Sequence, residues 1–88
     1  MVWTLEFDAQ ARKMLRKLPN HIGDRIISAL VQIIERGDPR DRGRAMTGDY
    51  NGYWRYRIGD YRAIARIEEG KMIVTVITIG HRREIYRG

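Results

Sequence analysis

The chain has 88 residues and no cysteine, and carries 17 Lys plus Arg against 11 Asp plus Glu, a net charge of +6. This length fits one domain, residues 1–88, whose core is too small to leave any apolar face unpartnered, and the lack of cysteine excludes disulfides and thiolate metal sites. Arginine carries most of the excess charge and its planar fork suits phosphate, so the charge fits nucleic acid, a membrane surface or an acidic protein as partner.

In chain order, residues 2–7 alternate Val2, Thr4, Glu6 with Trp3, Leu5, Phe7, which predicts a short strand with its larger residues inward. This opening has neither a basic leader nor a long apolar core, and no apolar run approaches a membrane span, so the expectation is a cytoplasmic protein with no membrane partner. Asp8 is placed to cap a helix in which Ala11, Met14, Leu15 and Leu18 share one face with Phe7, while Arg12, Lys13, Arg16 and Lys17 occupy the exposed side. Pro19 ends this helix, because the residue before a proline is pushed away from helical angles, and it opens a second helix. The apolar stripe of that second helix is Ile22, Ile26, Ala29, Leu30, Ile33 and Ile34, and it stops at Arg36-Gly37. Residues 8–36 thus read as a helical hairpin.

Residues 38–44 are charged and bear Pro39 and Gly43 without apolar periodicity, so they read as a surface loop that continues to Gly52. Two runs rich in aromatic and β-branched residues then flank Gly59-Asp60, a glycine-first dipeptide suited to a type II′ turn. Such a turn pairs Ile58 with Tyr61, Arg57 with Arg62, Arg55 with Ile64 and Tyr53 with Arg66. Tyr53, Arg55, Arg57, Arg62 and Arg66 then share one face, and Trp54, Tyr56, Ile58, Tyr61, Ala63, Ala65 and Ile67 the core face. Arg57 opposite Arg62 sets like charges together, which calls for a polyanion. Glu68-Glu69-Gly70-Lys71 reads as a turn, and residues 72–79 as a strand buried on both faces at the centre of the sheet, broken by Gly80. His21 and His81 are scattered and make no metal site. The expected fold class is α+β in the order β-α-α-β-β-β, a two-helix hairpin packed on one face of a mainly antiparallel four-stranded sheet.

Leu15-Arg16-Lys17-Leu18-Pro19, Gly52-Tyr53-Trp54-Arg55-Tyr56-Arg57-Ile58-Gly59-Asp60-Tyr61-Arg62 and Ile79-Gly80-His81-Arg82-Arg83-Glu84-Ile85-Tyr86 resemble the RelE/ParE superfamily of toxins, specifically the RelE-type messenger-RNA endoribonucleases. The central motif is the most specific of the three. The resemblance implies a toxin that enters the ribosomal A site and cuts the messenger there without metal or cofactor. It also implies a cognate antitoxin that silences the toxin, and a toxin-antitoxin complex that binds its own operator through the antitoxin. By resemblance, Arg55 and Arg57 match the paired basic strand residues, Arg62 the phosphate-contacting arginine, Arg82 the donor to the leaving group and Tyr86 the aromatic that orients the substrate. Tyr53, Arg66 and Arg83 are further candidates for RNA contact. Family members often have lysine where this chain has Arg55 and Arg57, and arginine, with a pKa above ~12, is a poor base. His81, whose ordinary pKa of ~6.5 suits proton transfer, is therefore the candidate general base. The superfamily also contains ParE-type proteins, which inhibit DNA gyrase by binding and have no catalytic site.

Overall fold

The computed structural model describes residues 2–81. Strand β1 (Thr4–Phe7) leads into helices α1 (Ala9–Lys17) and α2 (Asn20–Glu35), followed by strands β2 (Arg44–Ala45), β3 (Trp54–Ile58), β4 (Tyr61–Glu68) and β5 (Ile73–His81). The Asp8 carboxylate accepts from the Ala11 amide at 3.0 Å, the cap expected for α1. Leu18 leaves helical angles at φ −88°, ψ 152°, as the residue before Pro19 must, and α2 restarts directly after that proline.

The sheet has five strands in the order β1-β5-β4-β3-β2, one more than the four expected. The extra one is the two-residue β2, in a segment that reads as loop. It pairs antiparallel with β3 through Arg44 opposite Arg55 and Ala45 opposite Trp54. Two further turns of 3-10 helix, Pro39–Asp41 and Gly48–Tyr50, shape the rest of that connection. The sheet is antiparallel except where β1 lies parallel to β5, so β5 is interior and β4 is the middle strand. Nor does Gly80 end β5, as its glycine suggested: it pairs with Arg62, and the strand continues to His81 opposite Tyr61.

Both helices cover one face of the sheet. Ala11, Ile26 and Leu30 meet Tyr56, Ala63, Ala65, Val74, Val76 and Ile79 in one buried cluster, each large apolar side chain contributing roughly 1.5–3 kcal/mol. The β3–β4 turn has the geometry expected of Gly59-Asp60, with φ +59° at Gly59 and a negative φ at Asp60, which defines type II′.

Tyr56 ties the long connection to this core. Its hydroxyl donates to the Pro39 carbonyl at 2.8 Å, and burial, helped by the nearby Asp38 charge, pushes its pKa up to about 12. Gly43 passes directly over the same ring: a Cβ there would stand 2.8 Å from Tyr56 Cε1 and 3.1 Å from the Arg55 carbonyl oxygen. Arg40 pairs with both Asp38 and Glu69, joining the connection to the β4–β5 turn. The hydrogen bonds from Arg40 hold the Asp38 carboxyl below its usual range.

Candidate nucleic-acid interface

The face of the sheet away from the helices is set by strand parity. Arg55 opposes Ile64 and Arg57 opposes Arg62 across β3 and β4, as the hairpin pattern predicts. Directly paired residues share a face, and the partners of this face on β5 are Thr78 beside Ile64, Gly80 beside Arg62 and Thr75 beside Arg66. Arg44 joins the same row from β2. The result is a row of arginines on the side of the sheet away from the helices. Tyr53, just before β3, lies on this side by alternation, its ring centroid 6.2 Å from that of Tyr50.

Depth differs among these arginines. Arg44, Arg57 and Arg66 are exposed and Arg55 is half-buried, whereas Arg62 is only 2% exposed. Its Nη1 donates to the carbonyl oxygens of Tyr61 at 3.0 Å and Gly59 at 3.3 Å. Its side chain therefore folds back on the turn. Alternation assigned Arg62 to this face and says nothing of its depth. Arg66 pairs with Glu68 at 3.4 Å, an exposed contact that contributes little to stability. Ile64 is fully buried on this face, outside the helix-covered cluster.

His81 is not brought to the face that carries Arg55 and Arg57. Its register partner Tyr61 belongs to the helix-side face, and the two rings meet edge to face with centroids 5.7 Å apart. The imidazole lines a cleft of about 230 Å³ with Met14, Lys17, Leu18 and Tyr61. Because β5 runs through Gly80, parity sends His81 to the opposite side from Arg55 and Arg57. Arg82, Arg83 and Tyr86 lie outside the described residues. Among the described residues no group of His, Cys, Asp or Glu converges on a metal site, and no helix is long and apolar enough to cross a membrane. Arg44 is the member of this face that reasoning from the sequence missed. Its only local signal is a cation two residues before Met46, whose amide donates to the Tyr53 carbonyl at 2.9 Å.

Residues 5–86 match the family described as the ParE toxin of type II toxin-antitoxin system, parDE. The chain belongs to the RelE/ParE superfamily of type II toxins. It is 32% identical over 91 residues to Toxin RelG of Mycobacterium tuberculosis, an alignment covering 99% of each chain. It is 30% identical over 89 residues to the mRNA interferase toxin RelE of Escherichia coli, covering 98% of this chain and 92% of that relative. A chain in the crystal structure of the toxin-antitoxin complex RelBE2 from Mycobacterium tuberculosis has the same fold, with a TM-score of 0.83 at 26% identity, covering 93% of this chain and 100% of that one. The RelE-like α+β architecture, two helices on one face of a mixed sheet, is thus the superfamily's own.

Proposed function

We propose that this toxin is a ribosome-dependent endoribonuclease that cuts messenger RNA in the ribosomal A site without metal and so stops translation. The observation that carries this reading is the register that gathers Arg44, Arg55 and Arg57 on the open face of β2 and β3, with Arg62 pinning the adjoining turn. RNA supplies its own nucleophile: the 2′-oxygen attacks the adjacent phosphorus as its proton leaves, and the 5′-oxygen departs and takes up a proton. The protein's part is to hold that geometry and to stabilise charge on the non-bridging oxygens. Arg55 and Arg57 supply the charge. Arg62 positions Arg57 by holding the Gly59-Asp60 turn. Arg82 is assigned proton donation to the leaving oxygen, Tyr86 orientation of the substrate, and Tyr53, Arg66 and Arg83 contact with flanking RNA. The base role is not given to His81, which stands on the other face, and falls to an arginine or to solvent.

The partner that restrains such a toxin is a cognate antitoxin. The relatives seen in toxin-antitoxin complexes support this partner for the present chain, and an acidic segment folding onto a +6 domain is the chemistry expected of it. Ribosome and messenger place its action in the cytoplasm, and operator binding is assigned to the complex through the antitoxin. A second reading, inhibition of DNA gyrase by binding alone, is favoured by the ParE description of the matching family.

Induced expression separates the two. New messenger 5′-ends within translated codons support the nuclease, whereas gyrase-linked DNA breaks with intact messengers overturn it. Arg57→Ala should slow cleavage by on the order of ten- to a thousandfold while the protein stays folded, by analogy with removal of one oxyanion donor.

A further inference from the structure

Where β1 begins and α2 ends, Trp3, Ile34 and Met72 give the apolar lining of a cleft of about 640 Å³, a size in the range of clefts that seat ligands, roughly 300–1,000 Å³. None of its residues belongs to the arginine face. The cleft is held by the backbone: the Thr4 amide donates to the Met72 carbonyl at 2.9 Å and fixes the start of β5 against β1. Met72 is the one non-glycine residue with positive φ among the described residues, at φ 55°, ψ 48°. Side chains rarely take such left-handed angles, and residues held in them gather where function fixes them.

The rim of this cleft is acidic on a chain of net charge +6. Arg40 is committed to Asp38 and Glu69, and Lys71 lies beside Glu68 at 3.7 Å. Glu35 remains. It is exposed, it is the last residue of α2, and among the described residues it is within ion-pair distance of no cation. A helix C-terminus is the negative end of the helix dipole and leaves carbonyl oxygens without amide partners, and α2 has no basic residue in its last turn. Carboxylate and carbonyls together favour a cation from outside the chain. The charge repels RNA, and among the described residues the carboxylates do not converge as a metal site. What fits an indole and two aliphatic side chains beside a carboxylate is an apolar side chain next to a lysine or arginine, whose alkyl stem can lie on the Trp3 ring.

We propose that this cleft anchors a basic, apolar segment of the cognate antitoxin, the apolar side chain against Trp3, Ile34 and Met72 and the cation on Glu35. The anchor rests on the reading of the antitoxin as the restraining partner and gives it a second point of attachment. Its charge is opposite to that of the arginine face, so an antitoxin that lays acidic residues on that face and one basic residue here is held in a single orientation.

The first arm of the test titrates the full chain with a capped peptide of leucine and arginine in alternation, followed by the two tryptophan indole resonances, with Trp3→Phe assigning them. The Trp3 signal should shift and the Trp54 signal stay, and added salt should weaken binding. Glu35→Gln should weaken it severalfold, Glu35→Asp should keep most of it, and Asp24→Asn, which removes the same charge from the first half of α2, should leave it parental. The second arm measures release of the co-expressed antitoxin, which Glu35→Gln should speed severalfold. An unmoved Trp3 signal, an equal loss in Asp24→Asn, or parental antitoxin release with the complex intact would overturn the anchor and leave the antitoxin reading standing. Parental release together with Glu35-dependent binding to ribosomes would overturn it in favour of a ribosomal protein. Glu35-dependent peptide binding at Trp3 by a chain that captures no antitoxin supports the cleft as a site for basic segments and overturns the antitoxin reading instead.

Discussion

Tyr56→Phe probes how the arginine face is held in place. The hydroxyl is the only part of the side chain removed, and the ring, 1% exposed, keeps its packing in the core. What is lost is the 2.8 Å hydrogen bond to the Pro39 carbonyl, and Pro39 is itself buried. A buried carbonyl left without its donor costs about 1–3 kcal/mol. For a domain of this size that lowers Tm by roughly 4–24 °C. Urea or thermal unfolding at pH 7 measures it, and unchanged stability would refute the tie between β3 and the 38–46 connection.

The same side chain has a signature in alkali. Its pKa, raised from 10.0 to about 12, means that the folded protein holds the phenolic proton more tightly than the unfolded chain does. The resulting stabilisation is fully present below pH ~10 and disappears as pH rises through about 12; at most it is worth roughly 2–3 kcal/mol. The stability difference between parent and Tyr56→Phe should therefore shrink progressively above pH 10. An ultraviolet titration should show one phenol ionising at about 12 that is missing from Tyr56→Phe. A difference that stays constant from pH 8 to 11.5 would show that Tyr56 ionises normally.

Other substitutions test neighbouring links. Gly43→Ala drives a methyl group into Tyr56 and the Arg55 carbonyl, neither able to yield, so it should cost about 1–3 kcal/mol; an unchanged urea midpoint would refute that close approach. Asp8→Ala should cost ~1 kcal/mol through loss of the α1 cap, and no change in midpoint would show the cap to be idle. On the proposed nuclease reading, His81→Gln should leave the pH profile of cleavage parental, since the imidazole packs on Tyr61, on the other face from Arg55 and Arg57; loss of an acid limb would return His81 to the chemistry.

What could be read from the sequence was what is decided over short distances. The period-two pattern around Gly59-Asp60 yields the hairpin register from Ile58–Tyr61 through Arg55–Ile64, because a two-residue turn leaves one way to pair the strands; the expected Tyr53–Arg66 pair lies beyond the ladder, which begins at Trp54. Pro19 marks the helix break for an equally local reason. The parallel pairing of β1 with β5 joins residues about seventy positions apart, such as Leu5 and Val74, and no local signal encodes it.

The arginine face shows the same division. Alternation put Arg55, Arg57 and Arg62 on one side correctly, yet it could not show that Arg62 is buried against the turn carbonyls, since depth depends on what the side chain finds around it. Arg44 was hidden because two residues make no period. Its strand exists only where Gly43 clears the Tyr56 ring and the Met46 amide reaches Tyr53. His81 turned on a single residue. Glycine weakens a strand, so Gly80 looked like an end; paired between Arg62 and the rest of the ladder, it carries β5 one step further. That one step decides the parity of His81, and with it the face to which a candidate base is delivered.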